Sequence, residues 1–90
     1  MAADKMPSSQ ELESAVLNVL NSYGKPLTNA QISEQVIILL NLSQELQLMK
    51  HSPSRTELDY RLAWARTRAS KKNLIARIAP KTWEAVVSNS

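Results

Sequence analysis

Between residues 12 and 23 the apolar side chains Leu12, Ala15, Val16, Val19, Leu20 and Tyr23 recur at i, i+3, i+4, i+7, i+8 and i+11. That spacing aligns them on one face of a helix. Ser8 and Glu11 stand ahead of the run as Ser-x-x-Glu, a capping box that satisfies the free amide donors of a first turn. Gly24, the only glycine in the chain, falls where a left-handed C-cap is wanted, and Pro26 blocks continuation. The stretch "KPLT" reads as extended, because a residue before proline is pushed out of the helical region, with Leu27 in one short strand. Thr28 and Gln31 repeat the capping-box spacing at the start of a second helix over about 29–42. Its inner stripe is Ile32, Val36, Leu39 and Leu40. Ile37 and Ile38 lie off that stripe, so the helix is apolar nearly all round. Either neighbouring elements cover it on several sides, or Ile37 and Ile38 belong to a surface that docks a second copy or another domain.

The pattern then shortens. Ser43 is placed to cap a brief helix over 44–49, in which Leu46 and Met49 share a face, and "HSPS" breaks it. Ser54 and Glu57 form a third Ser-x-x-Glu pair, which predicts a long helix from about Arg55 to Lys72, closed by a left-handed Asn73. After it the period changes. "LIARI" and "TWEAVV" are short and rich in Ile, Val and Trp, with Pro80 placed for the second position of a type I turn. They predict a terminal β-hairpin over about 74–87, with Trp83, Ala85 and Val87 alternating onto one face as core. The reading is a flexible end over residues 1–7 and a single domain over 8–88. It is mainly α with a C-terminal β-hairpin, in the element order of a winged helix-turn-helix. A plain helical bundle with an ordered tail and a small α+β interaction domain are the alternatives.

On the long helix, a step of about 100° per residue gathers Leu58, Leu62, Ala65 and Ala69 into a core stripe. Thr56, Tyr60, Ala63, Thr67 and Lys71 face outward. Arg61, Arg68 and Lys72 line one shoulder, and Arg55, Asp59 and Arg66 the other. Small and hydrogen-bonding groups flanked by cations suit a helix that offers base-edge contacts between two phosphate walls, with Arg77 and Lys81 on the hairpin reaching further phosphates. The plainer alternative is a solvated basic helix, on which Asp59 forms a surface ion pair with Arg66 or Arg55. Trp64 lies roughly 130° from the centre of the stripe. It is expected to pack against the hairpin with Trp83 or against the 44–49 turn; a contact to DNA or protein is the other option.

Charge sharpens this picture more than composition does. Residues 1–50 carry a formal charge of −2 and residues 51–90 carry +5, so the half with the long helix and hairpin is the one suited to a polyanion. The chain is 90 residues long, has no cysteine and contains no apolar run near the roughly 18 residues of a membrane span. Those features lead us to expect one small domain in a reducing, cytoplasmic setting.

The stretch "LDYRLAWARTRASKKNLIARIAPKTWEAV" resembles the N-terminal winged-helix domain of Mrr-type restriction endonucleases. The matching residues are Leu58, Asp59, Arg61, Leu62, Trp64, Ala65, Arg66, Thr67, Lys71, Lys72, Leu74, Ile75 and Trp83. "LNLSQE" resembles the family's connection after the second helix, and the likeness extends over about residues 11–87. Asn73 stands where the family has glycine, and Pro80-Lys81 replaces its Arg/Gly-rich wing tip. The resemblance implies a DNA-targeting module aimed at modified, for example methylated, DNA. It does not imply cutting, because the Asp, Glu or Gln, and Lys that hold Mg²⁺ in the family's nuclease domain are not found in these residues.

Nothing else in the sequence suggests an enzyme. His51 is the only histidine and lies in a polar connector, without an evident acid or nucleophile partner. Glu57 and Asp59 are two apart and face different sides of a helix, while Glu11 and Glu13 look like helix N-terminal charges. A Gly-rich phosphate loop is excluded by the single glycine, and metal-ligand spacing is absent. The expectation is therefore a binder of double-stranded DNA with no cofactor, no small-molecule substrate and no membrane. Its site residues are Arg55, Thr56, Tyr60, Arg61, Thr67, Arg68, Lys71, Lys72, Arg77 and Lys81. A homodimer or an attached nuclease domain are the candidate partners. The rival function is a protein-interaction or dimerisation module using the helix over about 29–42.

Overall fold

A computed structural model describes residues 5–86. The first helix, α1 (Ser9–Tyr23), begins as its sequence dictates. The Glu11 amide donates to Ser8 Oγ at 3.1 Å and the Ser8 amide to Glu11 Oε1 at 3.3 Å. Gly24 ends it in the left-handed region, at φ 63°. Strand β1 (Leu27–Thr28) follows, and Thr28 with Gln31 makes the second reciprocal cap on α2 (Asn29–Leu40). Asn41, at φ 50°, closes α2.

Helix α3 (Gln44–Leu48) is capped by Ser43. From there the chain departs from the expected connector. Residues Lys50–Ser52 (β2) and Arg55–Thr56 (β3) form a small antiparallel ribbon turning at Pro53-Ser54. Helix α4 consequently runs from Glu57 to Lys71, not from Arg55. Its cap is Thr56, whose Oγ1 accepts from the Asp59 amide at 3.2 Å, and Ser54 is a turn residue instead. Two Ser/Thr-x-x-acid pairs compete within three residues, and strand pairing of Arg55 selects the later one. At the other end Asn73 takes φ 60° as expected. The Leu74 amide donates to the Ala69 carbonyl across it at 2.9 Å, the long bond of a Schellman ending.

Strands β4 (Ile75–Ala79) and β5 (Thr82–Ala85) form the C-terminal hairpin, and β1 adds to give a three-stranded sheet in the order β1-β5-β4. Pro80 takes the first central position of the turn. Lys81, at φ 58°, is left-handed, which a type I turn does not allow at its second central residue. The fold is mixed α/β, with four helices and two antiparallel sheets among the described residues, where more helix and less strand had been expected.

The core lies where α1, α2 and α4 meet the sheet. Leu12, Val16 and Leu20 of α1, Ile32 and Val36 of α2, Leu62 of α4, and Leu27 and Ile75 of the strands are all at most 2% exposed. Each such side chain contributes about 1.5–3 kcal/mol of transfer free energy. Met6 packs on this core and Pro7 is buried, ahead of the first cap. Residues 1–4 of the expected flexible end, and Val87 and residue 88 at the other end, lie outside the described residues. The predicted stripe of α2 is only half realised. Ile32 and Val36 are buried and Leu40 packs at the edge, but Leu39 points outward. No helix among the described residues is long and apolar enough to cross a membrane.

Candidate nucleic-acid interface

Helix α4 presents its core stripe as predicted: Leu58, Leu62, Ala65 and Ala69 are buried. The opposite face carries Tyr60, Ala63, Trp64, Thr67 and Lys71. Trp64 is 49% exposed and is not among the side chains packed against the core, so the expected packing does not bury it. It lines a shallow surface hollow with Tyr60 and Arg61. Tyr60 is held rather than free. Its ring stacks on His51 of β2 at 3.8 Å between centroids and 11° between planes, and the Arg55 guanidinium carbon lies 5.8 Å from the same centroid. His51 also has an acid partner, with Nδ1 3.4 Å from Glu57 Oε1. Thr67 turns its hydroxyl inward and donates to the Ala63 carbonyl at 2.9 Å. Thr56 is occupied as the cap, off the helix.

The basic shoulder changes meaning most. Arg68 Nε lies 3.3 Å from Glu13 Oε1 and Lys72 Nζ 2.6 Å from Glu13 Oε2, so both cations are tied to α1. Arg68 also donates to the Ser9 carbonyl at 3.4 Å. Arg61 pairs with Glu57 within the helix at 3.2 Å. Glu13, far from being a bare helix-terminal charge, has its pKa held below the ordinary 4.5. The hydrogen bond from Lys72 does most of this, with Arg68 adding to it, against a burial effect that raises it. These cations can still face phosphates, but they first hold α1 and α4 together.

Lys71 and Arg77 are exposed, as are Arg55 at the start of β3 and Lys81 in the hairpin turn. None of the four forms an ion pair among the described residues. The hairpin turn is fixed against α2: the Asn29 amide donates to the Lys81 carbonyl at 2.9 Å and Trp83 Nε1 to Asn29 Oδ1 at 2.7 Å. Trp83 is half-buried and packs on the core with Ala85.

Arg66 was not among the expected site residues, yet it is the one buried charged side chain among the described residues, 7% exposed. It lines a cleft between the start of α2, the β2–β3 turn and Lys81. The surface ion pair open to Asp59 with Arg66 or Arg55 does not form. Burial, then the neighbouring Arg55, pulls the Arg66 pKa down, and Asp59 opposes them from beyond pairing distance. The sequence holds a faint signal: Arg66 is four residues after Leu62 and three before Ala69, at the border of the core stripe.

Away from α4, Ile38 is 69% exposed and Leu39 47%, while Ile37 is partly buried against the core. No group of three or more His, Cys, Asp or Glu suited to a metal occurs among the described residues.

Searches of curated proteins and of solved structures gave no match to this chain. The family model described as the Mrr N-terminal domain matches residues 10–85, a span that includes every helix from Gln10 onward, both sheets, the exposed face of α4 and the Arg66 cleft. The chain therefore belongs to the Mrr N-terminal domain family.

Proposed function

We propose that this chain is a DNA-binding winged helix-turn-helix module, a single domain over about residues 8–88, that targets an Mrr-like restriction protein to double-stranded DNA in the cytoplasm. The family match is the observation that carries this reading. The element order supports it, since a short first strand joins a terminal hairpin that directly follows α4. Helix α4 enters the major groove with Tyr60, Ala63, Trp64, Thr67 and Lys71 toward the bases. Arg77 and Lys81 of the hairpin, Arg55, and the outer edges of Arg61, Arg68 and Lys72 meet phosphates. The module does no chemistry itself; catalysis belongs to an attached or associated nuclease domain.

Amide shift mapping with a 15N-labelled chain and a short duplex tests the reading. Shifts should concentrate on 60–71 and 77–82. Shifts confined to 37–40, or none at saturating duplex, would overturn it. The exposed Ile38 and Leu39 favour one further contact, with a second copy of the chain. A sedimenting dimer lost in Ile38→Asp supports that contact, and a monomer in both forms refutes it.

A further inference from the structure

The cleft around Arg66 is the feature that the α4 reading leaves unused. It is open to solvent, and the side chains that give it charge are Arg66, Arg55, Lys81, Asp59 and Glu34. Arg66 is more than nine-tenths buried, yet it forms no hydrogen bond or ion pair with any described residue. Among the described residues no fully enclosed side-chain nitrogen or oxygen lacks a hydrogen-bond partner, so the guanidinium nitrogens must keep an outlet, which the cleft supplies. The two acids do not quench it. Asp59 is exposed, and neither it nor Glu34 pairs with Arg66.

Two further groups point the same way. Arg55 faces the same space closely enough to depress the Arg66 pKa, an arrangement of like charges that an anion between them would relieve. The first turn of α2 closes the cleft through Asn29 and Ala30, and first-turn amides lack intrahelical acceptors. The Asn29 amide is taken by Lys81, while that of Ala30 has no acceptor inside the helix. A planar guanidinium, a second arginine, a lysine and a helix-start amide form a donor set suited to a tetrahedral oxyanion. Because the cleft is open, the oxyanion can remain part of a polymer.

We propose that this cleft is a phosphate seat, in which Arg66 holds one backbone phosphodiester of the bound duplex while Arg55 and Lys81 flank it and the Ala30 amide closes it. The assignment rests on the reading of the domain as a DNA binder. It places one strand across the junction of α2, the β2–β3 turn and the hairpin turn, fixing the angle at which α4 enters the groove. A phosphate contact carries no sequence information, so its loss weakens all duplexes alike.

The test measures duplex affinity against salt for the wild type, Arg66→Gln and Lys81→Gln. One phosphate contact contributes about 0.9 to the log–log slope, so each variant should be shallower by about that amount. The ratio of wild-type to variant affinity should then shrink about 3.5-fold between 50 and 200 mM salt. Duplex should also shift the Arg66 Nε–H and Ala30 amide resonances. If Arg66→Gln fails to fold, the exposed Lys81→Gln and the two wild-type resonances carry the test. Wild-type slopes in the variants, with those resonances unmoved, would overturn the seat and leave DNA binding standing. Absence of wild-type duplex binding would overturn the underlying reading. If inorganic phosphate alone still moved the Arg66 resonance in that case, the cleft would be a site for free anions and the duplex assignment would fall.

Discussion

Replacing Arg66 by methionine should make the domain more stable. Methionine keeps an unbranched stem in the same space, so the packing of the arginine's aliphatic part is largely retained. What is removed is the charge of a residue that is 93% buried by surface area, a charge with no ion pair among the described residues. Full desolvation of an ion costs several kcal/mol, but the outlet into the cleft relieves much of that. The attraction of Asp59 is offset by the repulsion of Arg55. The net gain should be about 1–2 kcal/mol, taken from the lower part of the range seen when buried charges are replaced by apolar groups. The pKa shift has the same sign. A cation whose pKa is depressed by folding binds its proton less tightly in the native state, so its charge opposes folding at every pH where the unfolded chain carries it. In a domain of this size 1 kcal/mol corresponds to about 4–8 °C in Tm. Thermal and urea unfolding, followed by circular dichroism, give the comparison, with exposed Arg77→Met as a control expected within about 0.5 kcal/mol of wild type. An Arg66→Met protein less stable than wild type, or no better than the control, would refute the claim that Arg66 is an uncompensated buried charge.

Glu13→Gln should lower stability by about 1 kcal/mol at neutral pH, by breaking the ties to Arg68 and Lys72. Because folding lowers the Glu13 pKa, that contribution is complete above 4.5 and fades as pH falls through the folded value. Urea midpoints of the two proteins should therefore converge as pH falls below 4.5, and a constant gap would contradict the ion-pair account. Gly24→Ala should cost about 1 kcal/mol although nothing lies within 4 Å of the added Cβ, because φ is +63°. An unchanged Tm would show that the left-handed cap is not needed.

Local signals were legible in the sequence and tertiary ones were not. The caps at Ser8 and Thr28, the left-handed Gly24 and Asn73, and the core stripe of α4 depend on residues within one or two turns, and each forms as its spacing dictates. The β2–β3 ribbon escaped because strands of two and three residues have no period to read. Its formation moved the start of α4 from Arg55 to Glu57. The shoulder of Arg68 and Lys72 looked free because its partner, Glu13, is 55 and 59 residues away in sequence. Trp64 and Arg66 show the same limit from opposite sides. Both lie off the core stripe; the tryptophan stays half exposed, while the placement of α2 and the hairpin turn encloses the arginine. The family likeness ran ahead of this geometry, since it rested on the residues themselves and not on where neighbours cover them.

Fluorescence anisotropy of a labelled duplex, titrated with this chain from 50 mM salt upward, tests the central claim most directly. The account expects saturable binding at 50 mM whose affinity falls with salt at a log–log slope of about −4 to −6, which corresponds to about four to seven phosphate contacts. No binding at 50 mM salt to any of several duplex sequences, by a chain shown to be folded, would contradict it.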